Sequence, residues 1–371
     1  MDLANCQHPR QQRRSIGALL LLLIVVSAPA VGGDVNIKKL YNDDWIKMKS
    51  DNFEVLSNAG KKQTVLVIED LENFNFFISK LLGYTQTSLA IKIPVILAKN
   101  RSSFRSLGMP DEYAGVFSNT AGGLIFARAD KFRSSTVGAS WGRSVVLHEL
   151  THLLVNNSEH ELATPPWYNE GLAEYLGTYV RKKNKIVLGD LSVLQNRFYD
   201  LVERGGEGFE NVDSESLFKV VQKDLKIGKE LTNDQQRFVD KFYARSVSVI
   251  HYLNADPQRR QQLYQYLSLV GKGYGIDESF RHVFNQSYEE FDAQVNTYID
   301  GKFVLARVFD ISENGIVFPN TSIQVSEISN YQALKFLYAK ISLLSDGFLG
   351  EGQRNKMNQD VEAMFPDFFT Q

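Results

Sequence analysis

His148-Glu149-Leu150-Thr151-His152 lies inside a stretch that is apolar on most sides, and that combination constrains the chain more than any other feature. Val145, Val146, Leu147, Leu150, Leu153, Leu154 and Val155 surround two imidazoles and a carboxylate. The pattern predicts a helix entered at Ser140 as N-cap, and one so apolar all round is buried. Burying a polar group without a partner costs about 2–7 kcal/mol, so three of them in one helix demand something that engages them. Residues four apart share a helix face, so the two rings converge on one point. Converging neutral imidazoles with a carboxylate beside the first make up two thirds of a catalytic zinc site and its general base. Histidines simply satisfied within a core are the plain alternative.

A third ligand has to come from another element. After Val155-Asn156-Asn157-Ser158 the chain reaches Pro165-Pro166, which ends the first helix and turns the backbone. A second helix is expected from near Trp167, with Glu170 in its first turn and Glu174 one turn later on the same face. Glu170 then completes a His148, His152, Glu170 ligand set for Zn2+. Glu174 takes the free ring N–H of a ligating histidine and fixes its tautomer, unless it is an ordinary solvated acid. Gly171 and Ala173 beside the ligand allow close packing against the first helix.

These residues resemble the gluzincins, zinc peptidases that pair H-E-x-x-H with a downstream glutamate. Trp167, Asn169, Glu170, Gly171 and Ala173 match the W-x-N-E-G-F-A of the aminopeptidase-N-like branch, with Leu172 in place of its Phe. The 17 residues between His152 and Glu170 are one fewer than that branch usually has. The chain looks more like the bacterial peptidase-MA-like proteins, matching P-x-W-x-x-E-G-L-A-E-Y at Pro165, Trp167 and Glu170 through Tyr175. The likeness extends from about Trp45 to about Gly301. It implies an α+β, zincin-like catalytic domain, with a small mixed sheet followed by a mainly helical part.

The rest of the chain organises around that expectation. Arg10, Arg13 and Arg14, the apolar run Ile16–Ser27 and Ala28-Pro29-Ala30 predict a signal peptide over residues 1–30 and export to a periplasm or beyond. Left uncleaved, this segment would be the one expected membrane contact. The single cysteine, Cys6, falls within it, so no disulfide is expected in the mature chain. Residues 31–135 read as the α/β part, with strands at Asn52–Ser57, Ile91–Leu97 and Gly122–Arg128 and a helix from Lys61 to Leu82 stopped by Gly83. Residues 136–301 read as the helical part. Asp190 opens a helix closed by Gly205-Gly206, Thr232 caps one reaching Asn254, Pro257 starts the next, and Ser287–Glu290 is a capping box for one ending at Gly301. Residues 302–371 read as a packing or docking appendage, with a strand pair at Ile316–Phe318 and Ile323–Val325 and a helix over Tyr331–Leu344. A net charge of −2 without blocks of like charge sets nucleic acid aside as a partner.

The expected chemistry is peptide hydrolysis, with Glu149 as general base and a peptide or protein as the partner. For the oxyanion, the later helix offers Tyr243 and His251. The family places a tyrosine there, which favours Tyr243. The resemblance assigns Gly123, Leu124, Ile125 and Phe126 to an edge strand along which the substrate lies. That stretch lacks the acid with which aminopeptidases hold a free α-amine, so cleavage within a chain is favoured over aminopeptidase activity. A zinc-dependent peptide binder without turnover is the reading from another class. A purely structural zinc would ordinarily have four protein ligands, several of them cysteines.

Overall fold

The computed structural model describes residues 32–84, 89, 91–110, 113–118, 123–132, 141–156, 163–194, 212–225, 232–300, 306–345 and 348–370. The expected signal segment, Ser140, Gly122, Gly301 and the helix expected beyond residue 194 lie outside the described residues. Among the described residues, the strands in chain order are β1 Ile46–Lys49, β2 Phe53–Ser57, β3 Ile93–Ala98, β4 Gly115–Ser118, β5 Leu124–Arg128, β6 Val180–Lys182, β7 Lys185–Leu188, β8 Arg307–Asp310 and β9 Gln324–Ser326. The helices are α1 Ile37–Asn42, α2 Lys61–Leu81, α3 Arg101–Ser106, α4 Trp141–Asn156, α5 Pro166–Gly177, α6 Ser214–Lys219, α7 Asn233–Asn254, α8 Pro257–Gly271, α9 Ile276–Phe284, α10 Tyr288–Asp300, α11 Asn330–Ile341 and α12 Glu351–Met364. None of these helices is long and apolar enough to cross a membrane.

The fold is α+β. A six-stranded mixed sheet runs β4-β5-β3-β2-β1-β9, and a small antiparallel sheet runs β6-β7-β8. In the larger sheet β2, β3 and β5 are mutually parallel and the outer pairings are antiparallel. The period-2 alternation of side chains sorts this sheet into two cores. Val55, Val95, Leu97 and Ile125 face the helices that carry the histidines. Leu56, Ile96 and Phe126 face a second layer. Burial on both faces is why these strands read as unbroken apolar runs rather than alternating ones.

The segment expected as a packing or docking appendage supplies that second layer. β9 extends the sheet beside β1, pairing Val325 with Met48. Leu334, Leu337 and Ile341 of α11, with Met357 and Val361 of α12, pack in one core with Leu56, Ile96 and α1. The described part of residues 302–371 therefore packs as a layer of the fold. The expected strand pair within this segment does not form. A lone two-stranded ribbon is marginal in water, whereas the edge of β1 offers a place in a larger sheet. Phe318 instead tilts against Phe76 and carries the Arg181 guanidinium 4.0 Å over its ring.

The assignment of residues 123–126 as an edge strand is also corrected. β5 lies between β3 and β4, its backbone is paired on both sides, and all five of its residues are buried. The outermost strand at this end is β4, a four-residue segment that folds back antiparallel on β5. Local helix signals, by contrast, match the observed ends closely. Thr232 and Gln235 cap α7 reciprocally, Ser287 and Glu290 do the same for α10, and α8 starts at Pro257. Gly83, at φ +80°, ends α2 in the left-handed conformation that glycine adopts without strain. The β6–β7 hairpin interrupts the region expected to be helical, turning on Lys183 and Asn184.

Candidate metal centre

α4 is held in place by a charge that its apolar surroundings would otherwise reject. Arg143, fully buried, donates from Nε and Nη2 to the Asp70 carboxylate of α2 at 2.6 and 2.9 Å, and from Nη1 to the Tyr179 carbonyl at 2.6 Å. This bidentate pair fixes the turn just before His148. Pro166 starts α5, and every residue from Trp167 to Gly177 is buried. A side chain at Gly177 would place Cβ 3.1 Å from the Ser144 carbonyl oxygen and 3.5 Å from the His148 nitrogen, so α5 meets α4 closely there. The close packing expected of Gly171 is made elsewhere. Its missing side chain admits α7, since a Cβ there would stand 2.5 Å from the Ser246 carbonyl oxygen.

This packing brings His148, His152 and Glu170 together, all three buried. The two Nε2 atoms are 3.1 Å apart, and each lies 3.4 Å from Glu170 Oε2. Three ligands of a tetrahedral ion at about 2.0–2.1 Å stand about 3.3 Å from one another, so the triangle has the size such an ion requires. The outer ring nitrogens face acceptors: His152 Nδ1 lies 3.2 Å from Asn169 Oδ1, and His148 Nδ1 lies 3.7 Å from Glu174 Oε1. Glu174 is buried rather than a solvated acid, and its separation is an ion-pair distance rather than a hydrogen bond. A proton on each Nδ1 leaves both Nε2 lone pairs aimed into the same space, which is repulsive unless a cation or proton occupies it. Neither oxygen of the Glu170 carboxylate, fully buried, has a hydrogen-bond partner among the described residues. The donor set and the unsatisfied carboxylate both fit a metal ion, and this buried cluster could hold one.

The charges agree with the geometry. Burial opposes ionisation of Glu170, but attraction to the nearby His152 and His148 rings outweighs it and holds the carboxyl at about 2. Burial likewise opposes a proton on His152, yet Glu170 and Glu149 together raise it to about 9. Burial dominates at His148 and lowers its pKa. Glu149 is buried on α4 and close enough to His152 to favour its charged form.

The two oxyanion candidates, both on α7, have different surroundings. His251 has both ring nitrogens engaged, Nε2 at 2.8 Å from the Gly189 carbonyl oxygen and Nδ1 at 2.7 Å from the Tyr298 hydroxyl. With both nitrogens committed and burial lowering its pKa, His251 is a neutral structural residue. Tyr243 is buried one turn before the Ser246 carbonyl against which Gly171 packs, and its ring meets Phe242 edge-on. The helix that carries it thus crosses α5 beside Glu170.

Sequence reasoning assigned no role to Asn169, Arg143 or Asp70. Asn169 directly precedes a proposed ligand, and Arg143 is the one arginine in an apolar helix, so each carried a local signal. Asp70 lies 73 residues from Arg143 and carried none. No protein-family profile matches the chain, and no curated protein matches it.

Proposed function

We propose that the protein is an exported zinc-dependent metallopeptidase that cleaves within peptide chains. The observation that carries this reading is the buried triangle of His148 Nε2, His152 Nε2 and Glu170 Oε2 with Glu149 beside it. The sequence likeness to gluzincins adds to it. Zn2+ held by these three residues would supply a Lewis acid that polarises a carbonyl and makes water a stronger acid.

The chain's own residues account for the rest of the reaction. Glu149 accepts a proton from the attacking water and delivers it to the leaving amine. Asn169 and Glu174 orient the two rings through their Nδ1 atoms. Tyr243 is the candidate donor to the developing oxyanion. An extended peptide would lie along β4, the outermost strand, which packs so closely on α4 that a Cβ at Gly115 would stand 3.3 Å from the Gly142 carbonyl oxygen. The 123–126 segment carries no acid to hold a free α-amine, which supports internal cleavage.

The test is metal content by elemental analysis together with hydrolysis of unfolded casein and of an N-terminally blocked peptide, with and without chelator. Glu149→Gln should keep its metal and lose about 10²–10⁴-fold in rate. Full activity in that variant would overturn the assignment.

A further inference from the structure

Away from the metal centre, two arginines and two tyrosines gather around Gly189, and among the described residues neither guanidinium is paired with an acid. Arg260 and Tyr264 stand one turn apart on α8 and so share a face. Arg260 donates from Nη2 to the Asn254 carbonyl at 3.1 Å, and its buried Nε has no hydrogen-bond partner among the described residues. Arg307 opens β8 opposite Leu188, with its guanidinium 4.4 Å over the Phe309 ring. Gly189, next to Leu188, is where the Tyr175 ring packs: a Cβ there would stand 2.6 Å from Tyr175 Cε2. The Gly189 carbonyl also meets His251, one turn before Asn254 on α7, which brings the Arg260 side to the same place.

The electrostatics support this proximity. Burial, and next the charge of Arg260, lower the pKa of Arg307. Burial raises the Tyr175 phenol to about 12 although both arginines pull it down, so it remains a donor. Among the described residues no carboxylate pairs with either guanidinium, and neither phenol has a hydrogen-bond partner. Two half-buried cations that repel each other, flanked by two hydroxyl donors, lack an acceptor with several oxygens.

The geometry points to a binding site for an oxyanion group, a carboxylate or a phosphate, formed by Arg260, Arg307, Tyr175 and Tyr264. Planar guanidiniums match either group through paired hydrogen bonds. Tyr175 leaves α5 about 100° round the helix from Glu174, so the site is separate from the metal ligands and does not depend on the peptidase reading.

Isothermal titration calorimetry of the full chain at constant ionic strength, with inorganic phosphate in one arm and succinate in the other, tests it. Saturable binding of either is expected, and the tighter arm identifies the group. Arg260→Gln and Arg307→Gln should each weaken binding about tenfold or more, with metal content unchanged. Tyr264→Phe removes only a hydroxyl and should weaken it about threefold, which keeps the test available if an arginine variant fails to fold. No saturable binding in either arm, or undiminished binding in these variants, would overturn the proposal.

Discussion

His251 and the His148–His152 pair are all buried imidazoles, yet their surroundings differ in the one respect that matters. The ring of His251 is closed on both sides by the protein, through Gly189 and Tyr298. His148 and His152 face protein acceptors at their outer nitrogens, while the inner ones face each other and a carboxylate without a hydrogen-bond partner. A buried histidine with two protein partners is part of the scaffold. A pair whose lone pairs converge is arranged for something from outside the chain.

The comparison breaks most decisively at the ligands. His152→Ala or Glu170→Gln should abolish stoichiometric metal binding, measured by elemental analysis after dialysis, and retained metal would put the triangle in doubt. A smaller loss, about 10–100-fold in metal affinity, is expected of Asn169→Ala and Glu174→Gln, read from chelator competition. His251→Gln should leave metal content alone and cost about 1–3 kcal/mol in urea unfolding, because the partners of the ring lose their bonds. Metal loss in that variant would erase the distinction.

The smallest effect is on pH dependence. Burial holds the pKa of His251 below its usual 6.5, so the native ring stays neutral while the unfolded one takes up a proton. Stability from this residue is present above pH 6.5 and is lost as pH falls toward the lowered native value. Wild type should therefore lose more stability on acidification than His251→Gln, and parallel curves for the two would contradict it.

The helix caps at Thr232 and Ser287, the start at Pro257 and the shared face of His148 and His152 were legible because each depends on residues three or four apart. Glu170 was legible as the third member of the cluster through its spacing and family likeness. The rest of the centre was not. Arg143 finds Asp70 across 73 residues, and Gly171 turns out to seat α7 rather than α4. β4 covers the strand taken for the edge, and β9 crosses from the C-terminal segment to β1.

By itself the sequence determined the local periodicities, the caps and the residue types that can bind a metal, since these follow from backbone geometry over a single turn. Tertiary structure alone decided which lone pairs converge, which histidine is closed off and which strand lies outermost. Those outcomes depend on how distant segments share buried surface, and no local spacing encodes that.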